Sequence, residues 1–470
     1  MRKLQIIIAV TAALLLAGCG PALHTDYKRP DLTIPASWNA TGNTSGAVNS
    51  LVGDAAQWPT SFGDSKLESL VELALARNND LAAATIRVRK AQLEAGIAQR
   101  DLIPGLSATG TSNNSKEVTH DTDWTNSYSA NLQVSYEVDL WGKLSSAYDA
   151  KKWEAIATDQ DRQSTALSLV GTTMQLYWQI AYYNVRLSLS AANIKSAEET
   201  LQLVKSQEKY GVATDLEVNE ALKTLAGLKV SRQPLVQSRQ EAINSLAVLF
   251  DMPPGEVMAD PHVLQVATMP TIPAGLPAQL LGRRPDLRAA ELRLRELLAQ
   301  TDVARANFYP TLALTGSLGG SSTELADVLE NPIGTLATNL ALPFLNWNTL
   351  TLREDVSKAD YDEAVINFRQ SLYVAMKDVE NALSNRTVLQ RQSHMLQENL
   401  TAARKVEHIY EVRYKAGYGT LKDWLQAQNS RRAAEASLTE NLYNRLVNFV
   451  TLYQALGGQP AQVERTSKEG

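Results

Sequence analysis

Two short segments carry the same pattern of residues that could do chemistry. In each, a glycine is followed three positions later by a threonine, and an acidic residue comes three positions after that. The two sets are Gly211, Thr214 and Glu217, and Gly417, Thr420 and Asp423. A glycine can end a helix in the left-handed conformation, and a threonine with an acid three residues on can cap the next helix in a capping box. Carboxylates gathered around a narrow opening would in addition repel one another and attract cations, so the pattern fits both a structural turn and a gate.

Catalytic and metal-binding patterns are not found in the sequence. No His-x-x-x-His pair occurs among the five histidines, which are His24, His120, His262, His394 and His408. His120 lies near Asp121 and Asp123, which could hold a metal ion, although a solvated loop is the simpler interpretation. The sequence has no nucleophile elbow, phosphate-binding loop or dinucleotide motif. Carboxylate pairs on helices are interpreted as solvated faces, and we expect neither enzyme activity nor a metal or cofactor.

The one cysteine, Cys19, follows a basic start and an apolar run. This run is short for a membrane span and predicts a secretory signal over residues 1–18. Leu16-Ala17-Gly18-Cys19 resembles the bacterial lipoprotein box, which implies that Cys19 carries S-diacylglycerol and an N-acyl chain. The alternatives are that Cys19 is an unmodified cysteine, or that it only marks an ordinary signal-peptide cleavage site. Because Gly20 stands where an Asp would retain such a lipoprotein at the inner membrane, the outer membrane is favoured.

Removal of residues 1–18 leaves 43 basic and 50 acidic residues, a net charge of −7. This mildly acidic balance, with no basic patch, argues against a nucleic-acid partner.

The strands and helices that position the two turns can be predicted from the spacing of apolar residues. This spacing changes abruptly from that of a strand to that of a helix. From Ser127 to Leu140 every even position is apolar and every odd one is polar, which predicts a strand with one apolar face and one polar, solvent-facing face. From 143 to 210 there is no proline, and apolar residues recur at steps of four and three, as in a coiled coil. Such a helix would be about 100 Å long, more than a small globule can hold. An earlier helix is predicted from Ser65 to Asp101.

The chain is predicted to be a tandem duplication with an offset of 206 positions. Matching pairs include Pro104 with Pro310, Trp141 with Trp347, and Gly211 with Gly417. The predicted organisation is a signal (1–18), a tether (19–63), repeat 1 (64–251), a linker (252–285), repeat 2 (286–457) and a disordered tail (458–470). Repeat 1 has strands near 105–117 and 127–140 and long helices at 143–210 and 214–250, the last kinked at Pro234. Repeat 2 has strands near 311–320 and 335–345 and helices at 349–416 and 420–456.

Four amphipathic strands are too few to close a membrane barrel, since the smallest use about eight. An open sheet edge cannot face lipid. Several copies must therefore contribute to one transmembrane β-barrel, and the long helices should continue its wall as a helical tube. A soluble β-sandwich with a helical bundle is the alternative, but it does not account for helices of this length.

The sequence resembles the TolC-like outer-membrane efflux channels, in particular the lipoprotein branch called NodT-type. The resemblance covers nearly the whole mature chain and rests on these motifs together: Cys19; Asp26-Tyr27-Lys28-Arg29-Pro30; Trp58 with Phe62-Gly63-Asp64 and Leu67; the paired Pro-x-Leu strand starts; Leu140-Trp141-Gly142-Lys143; Arg283-Arg284-Pro285-Asp286-Leu287; and Tyr414-Lys-Ala-Gly417. It implies a mainly α fold class with a transmembrane β-barrel. The assembly would be a homotrimer with a 12-stranded barrel, a 12-helix periplasmic α-barrel and a mixed belt. The implied partners are a periplasmic adaptor, an inner-membrane pump and outer-membrane lipid.

The resemblance also implies roles for residues near the second turn. Acidic residues at the position of Asp423 and three residues on form the family's periplasmic constriction, and a tyrosine three residues before the turn glycine helps to hold it shut. Here these positions are Asp423, Gln426 and Tyr414, with Glu217 as the equivalent acid of the first copy. Gln426 departs from the doubly acidic pattern and would weaken the charge ring. Opening would be an iris-like untwisting of helices.

A second function remains open, which is a periplasmic coiled-coil lipoprotein that scaffolds without conducting. The sequence does not identify the cargo, which could be drugs, solvents, aromatic acids, metal ions or peptides. Export of copper or silver has no support from a methionine cluster or a histidine pair.

Overall fold

The computed structural model describes residues 23–39, 62–119, 123–264 and 277–458. Cys19, the predicted signal, most of the predicted tail and parts of the predicted tether and linker lie outside these ranges. The elements, numbered in chain order, are α1 (Ser65–Arg77), α2 (Asn79–Arg100), β1 (Gly105–Ser115), β2 (Thr125–Val138), α3 (Lys143–Lys209), α4 (Asp215–Leu249), α5 (Leu280–Arg283), α6 (Pro285–Ala306), β3 (Thr311–Ser322), β4 (Ile333–Ala341), α7 (Trp347–Lys415) and α8 (Leu421–Ala455).

Contacts divide the chain into two compact units, and each takes segments from both copies of the repeat. The first, here called the sheet unit, comprises Thr85–Asp161 and Arg288–Gln370 with the segment that ends at Leu32. The second, called the hairpin unit, comprises Thr33–Ala84 and Arg162–Leu287 with the chain from Ser371 onward. The four strands lie in the sheet unit, and both glycine turns lie in the hairpin unit.

The first helical segment is divided in two, so the prediction of one helix from Ser65 to Asp101 is wrong. Asn78 separates α1 from α2 with an extended backbone, at φ −65° and ψ 128°. Its side-chain oxygen accepts from the amide of Leu81 at 3.0 Å, while its amide group donates to the carbonyl of Leu249 at 3.0 Å. Asn side chains compete well for backbone groups, and here this competition breaks an otherwise continuous apolar pattern.

The sheet is antiparallel with the order β1-β2-β3-β4, so β1 and β4 are its edges. Its register pairs Leu132 with Ala108 on one side and with Leu318 on the other. Since directly paired residues of antiparallel strands share a face, the apolar residues of all four strands meet on one surface. Each edge strand pairs on one side only within the described residues.

The two faces of the sheet differ sharply in polarity. The apolar face presents Leu106, Ala108, Leu132, Val134, Leu314, Leu318, Leu336 and Leu340. The opposite polar face presents Ser107, Thr109, Asn131, Gln133, Ser135, Thr315, Ser317, Thr335 and Asn339. No layer covers the apolar face within the described chain, because Leu106 is 69% exposed and Leu336 is 94% exposed. A large exposed apolar surface of this kind marks a site of contact with lipid or protein.

Three strands end earlier than predicted, and β1 stops at Ser115 rather than 117. β2 stops at Val138 rather than 140, because the Asp139 carboxylate accepts from the amides of Leu144 and Ser145, both at 2.9 Å, and so caps α3. β4 ends at Ala341 rather than 345, because Pro343 begins a short 3-10 turn. Proline has no backbone N–H to donate to a strand ladder.

The long helices are as continuous as the sequence pattern. α3 has 67 residues and α7 has 69. α4 continues from Asp215 to Leu249 through Pro234. In the part of the chain that the structure describes, no helix has an apolar run sufficient to cross a bilayer.

The core of the hairpin unit forms where α1 packs against α3, α4 and α8. Phe62 contacts Trp178 and Phe449 edge-on, with ring centroids 4.9 Å apart in both pairs. The Asp64 carboxylate caps α1 and also accepts from the Tyr177 hydroxyl at 2.7 Å. These contacts fix the entry of the chain into α1.

The predicted linker 252–285 is partly structured. It contains α5, and Leu264 is 4% exposed in the core of the hairpin unit. Asp260 accepts from Arg239 and from Asn184, both at 2.6 Å, which ties the segment to α3 and α4. The described residues of this segment are therefore held against the helices of the hairpin unit.

Candidate functional site

The first glycine turn ends α3 and begins α4 within the hairpin unit. Gly211 has φ +74°, in the left-handed region. The amide of Gly211 donates to the carbonyl of Glu208 at 2.8 Å, and that of Val212 donates to the carbonyl of Gln207 at 2.8 Å. These bonds satisfy carbonyls at the end of α3, as in a glycine-ended helix.

Thr214 and Glu217 form a complete capping box at the start of α4. The Thr214 hydroxyl accepts from the amide of Glu217 at 3.3 Å, and the Glu217 carboxylate accepts from the amide of Thr214 at 2.8 Å. Both residues therefore have a local structural role.

The second turn has the same glycine geometry but a different cap. Gly417 has φ +80°, and the Thr420 hydroxyl accepts from the amide of Asp423 at 3.1 Å. The Asp423 carboxylate accepts from the Thr420 hydroxyl at 2.8 Å rather than from the backbone N–H of Thr420. Aspartate is one methylene shorter than glutamate, so the full capping box predicted for this turn is replaced by a partial one.

Tyr414 links the second turn to the end of α3. It is 7% exposed, and its hydroxyl donates to the side-chain oxygen of Gln207 at 2.7 Å. Its ring lies 5.4 Å from that of Trp424, in a small core that includes Leu421. Burial raises the pKa of Tyr414, and the negative charge of Glu217 raises it further. Tyr414 and Glu217, predicted from the two copies, are thus electrostatically coupled.

Asp423 and Gln426 lie on the exposed side of α8. Gln426 borders a groove of about 460 Å³ between α4 and α8, which is also lined by Glu220, Lys422 and Arg432. Burial and the neighbouring charge of Arg431 lower the pKa of Arg432. Gln426 therefore has basic as well as acidic neighbours, in contrast to the second acidic residue that the family pattern has at this position.

Gln207 and Trp424 were not identified from the sequence. Gln207 lies four residues before Gly211, and Trp424 lies four residues after Thr420. Each is within one helical turn of a predicted turn residue, and that spacing is the signal that could have found them.

Among the described residues, no group of three or more His, Cys, Asp and Glu side chains is arranged to hold a metal ion. Cys19 and His120 lie outside the described residues.

Aromatic residues gather where the strands meet the helices of the sheet unit. The Trp141 ring stacks on Tyr309 with centroids 4.8 Å apart, and its indole N–H donates to the carbonyl of Pro310 at 2.9 Å. Trp347, its counterpart in the second copy, packs edge-on against Phe308 at 5.2 Å and is 61% exposed. In membrane proteins, Trp and Tyr are enriched at the membrane–water interface.

Comparison with known proteins agrees with this architecture. Pyoverdine export outer membrane protein OpmQ of Pseudomonas aeruginosa is 33% identical over 461 residues, which is 96% of each chain. Toxin and drug export protein A of Aggregatibacter actinomycetemcomitans is 30% identical over 403 residues, or 85% of this chain and 88% of that protein. The structure of the open state of the MtrE outer membrane channel of Neisseria gonorrhoeae is 27% identical, with a TM-score of 0.81 over 93% of this chain and 98% of that one.

The model of the outer membrane efflux protein family matches residues 70–250 and again residues 276–458, once for each copy of the repeat. With matches of this extent, the chain belongs to the outer membrane efflux protein family.

Proposed function

We propose that three copies of the chain form one water-filled channel, to which each copy contributes four strands of a closed barrel. The observation that carries this proposal is the sheet, which has an exposed apolar face, a polar reverse side and two edges that each pair on one side only within the described residues. In lipid, each unpaired backbone group costs several kcal/mol. The edges must therefore pair with other copies.

The number of strands favours three copies over two. Two copies would supply eight strands, and the interior of an eight-stranded barrel is only wide enough for side chains to fill. Twelve strands leave room for water. The polar face, with Gln133, Ser135 and Thr315, would then line the passage, while the apolar face would contact lipid.

Acyl chains on Cys19 would anchor each copy in the outer membrane. Two or more chains are needed for a stable anchor, which the diacylglycerol and N-acyl groups would supply. The aromatic residues around Trp141 would lie at the periplasmic surface of the bilayer.

The two glycine turns would form the periplasmic gate. In a trimer, Glu217 and Asp423 of each copy would bring six carboxylates around one opening. The bond from Tyr414 to Gln207 joins the ends of α7 and α3, so opening by an iris-like movement of the helices would require this bond to break. The similar channel MtrE has been solved in an open state, which supports the existence of an open form.

The proposed partners are a periplasmic adaptor and an inner-membrane pump. The sequence has no phosphate-binding loop, so the energy for export must come from another protein. The names of the relatives include pyoverdine, toxins and drugs. A polar conduit selects weakly, and we infer that the pump chooses among small molecules of such varied chemistry.

The proposal is tested on the purified full-length protein. Without heating, it should migrate as a trimer in SDS, and it should give discrete conductance steps in planar lipid bilayers. A scaffolding lipoprotein would give neither result, and that outcome would reject the channel.

A further inference from the structure

The loop between β3 and β4, residues 323–332, is built from two successive turns. The amide of Asp327 donates to the carbonyl of Glu324 at 3.3 Å, and the amide of Glu330 donates to the carbonyl of Asp327 at 3.1 Å. A short 3-10 helix spans Leu325–Asp327. The loop therefore has a defined conformation at the end of the sheet that lies away from the long helices.

Gly320 of β3 shows on which face of the sheet this loop lies. Gly320 pairs with Ala130 of β2 and shares the apolar face with Leu318, because alternate residues of a strand lie on the same face. A Cβ atom at Gly320 would collide with the carbonyl oxygen of Val328 and would lie 3.2 Å from the carbonyl carbon of that residue. The loop therefore lies over the apolar face of the sheet, on the side opposite to the polar face.

The length of β3 places this contact near the outer surface of the bilayer. The Trp141 indole donates to the carbonyl of Pro310, directly before β3, at the level proposed for the periplasmic surface. The strand rises about 31 Å from Thr311 to Gly320, and a tilt of about 40° reduces this rise to about 23 Å across the membrane. The apolar band of such barrels is about 25 Å tall, and irregular backbone that faces lipid is not tolerated within it. The Val328 carbonyl must therefore lie at the outer edge of the band.

The side chains of the loop suit a boundary between acyl chains and headgroups. Leu325 is 71% exposed and Leu329 is 72% exposed, whereas Val328 is 6% exposed. Two side chains four residues apart lie on the same side of a helical turn. The loop has no Lys or Arg, and its acids are Glu324, Asp327 and Glu330. Apolar side chains gain free energy by leaving water, while carboxylates must stay hydrated.

We propose that the β3–β4 loop is a lipid-binding surface, which lies outside the barrel wall and inserts Leu325 and Leu329 into the outer leaflet. This inference rests on the proposed barrel. The loop continues the apolar face of the sheet beyond the ends of the strands, so its partner is the same lipid that contacts that face. Because it lies outside the wall, this loop does not cover the mouth of the passage.

The test is fluorescence quenching of the full-length protein in phosphatidylcholine vesicles. A bimane group is attached at Leu325→Cys or Leu329→Cys, and it is quenched by a lipid with a nitroxide near its headgroup or by a water-soluble nitroxide. We expect the lipid to quench at least threefold more strongly than the water-soluble nitroxide. Both orientations in the vesicle give the same result, because the loop contacts the nearer leaflet in each. The wild-type protein measures any labelling of Cys19.

Leu132→Cys and Gln133→Cys are the matched controls, because these neighbours on β2 lie on opposite faces of the sheet. A lipid with a nitroxide deep in its acyl chain should quench Leu132→Cys, and the water-soluble nitroxide should quench Gln133→Cys. If both controls behave in this way but Leu325→Cys and Leu329→Cys are quenched mainly from water, the inference about the loop is overturned and the channel stands. Failure of lipid to quench Leu132→Cys would reject the barrel and the loop surface together.

Two glycine variants test the contact between loop and sheet. In Gly320→Ala the added methyl group meets the Val328 backbone, which must move, and we expect lipid quenching at Leu329→Cys to fall at least twofold. Gly316→Ala is the matched control on the same face of the same strand, since its Cβ would lie 3.8 Å from a methyl group of Leu336, an ordinary contact. Quenching that falls equally in both variants, or in neither, would overturn the placement of the loop.

Discussion

At the scale of single residues, the contact between Tyr414 and Gln207 is the most specific feature of the proposed gate. It joins the ends of two long helices that come from different copies of the repeat, and the Tyr414 side chain is buried. Removing a hydrogen bond of this kind costs about 1 kcal/mol, enough to shift the balance between closed and open forms several-fold.

We therefore expect Tyr414→Phe to increase the leak of the closed channel. The measurement is the uptake of a large antibiotic that the outer membrane normally excludes, or the open fraction in planar bilayers. Tyr418→Phe is the matched control, because Tyr418 directly follows Gly417 in the second glycine turn and is 81% exposed. Equal leak in the two variants would show that the Tyr414 hydroxyl does not help to keep the channel closed.

A second residue-scale prediction concerns alkaline pH. Burial, together with smaller contributions from the neighbouring Tyr183 and Tyr182, raises the pKa of Tyr443 from its ordinary 10.0 to about 12. The folded protein holds this proton more tightly than the unfolded chain does. The stability that the shift contributes is complete below pH 10 and is lost as the pH rises from 10 through 12.

We expect Tyr443→Phe to make the thermal midpoint of the helical circular dichroism fall less steeply between pH 10 and 12. Tyr210→Phe, at a site that is 80% exposed, should leave the slope as in the wild type. A Tyr443→Phe slope identical to that of the wild type would contradict the assigned burial.

At the scale of elements, the two helix starts α4 and α8 differ in how well they are capped. In Thr214→Ala the Glu217 carboxylate still accepts from the backbone amide at position 214. In Thr420→Ala the corresponding cap is lost, because Asp423 binds only the hydroxyl and not that amide. We expect costs of about 0.5 and 1–2 kcal/mol respectively. The fall in the thermal midpoint of each variant measures the loss, and a larger fall in Thr214→Ala than in Thr420→Ala would contradict the assignment.

The elements also show what the sequence could predict. Alternation and heptad spacing are periodic signals, and they locate the strands and the long helices to within a few residues. The break at Asn78 depends on one side chain that bonds to Leu249, far along the chain, so no local pattern reveals it. The hydrogen bonds from Thr25 to Asp302 and from Arg29 to Glu291 were missed for a similar reason. Extended segments lack a helical period, and carboxylate pairs on helices were interpreted in general as solvated, whereas Asp302 and Glu291 of α6 are buried.

At the scale of the whole molecule, the family match confirms the predicted resemblance, the mainly α fold class with two repeats, and the function class of an outer-membrane efflux channel. The roles of Cys19, Glu217, Tyr414, Asp423 and Gln426 stay predictions. They depend on contacts between copies and with lipid, which the sequence of one chain does not specify.

The gate is tested by Glu217→Ala combined with Asp423→Ala. We expect a leakier channel with a weaker preference for cations, because both negative charges leave the proposed opening. Glu398→Ala on α7 is the control, since its carboxylate is exposed beside His394. Unchanged conductance and ion preference in the double variant would count against the gate and leave the channel itself intact.

The proposed channel requires a water-filled passage lined by the polar face of a sheet that several chains share. Neighbouring positions on β2 test it directly, because Leu132 and Gln133 lie on opposite faces. In intact outer membranes, a water-soluble maleimide should label Gln133→Cys rapidly and Leu132→Cys poorly, since one faces the passage and the other faces lipid. Rapid labelling of Leu132→Cys with protection of Gln133→Cys would contradict the central claim.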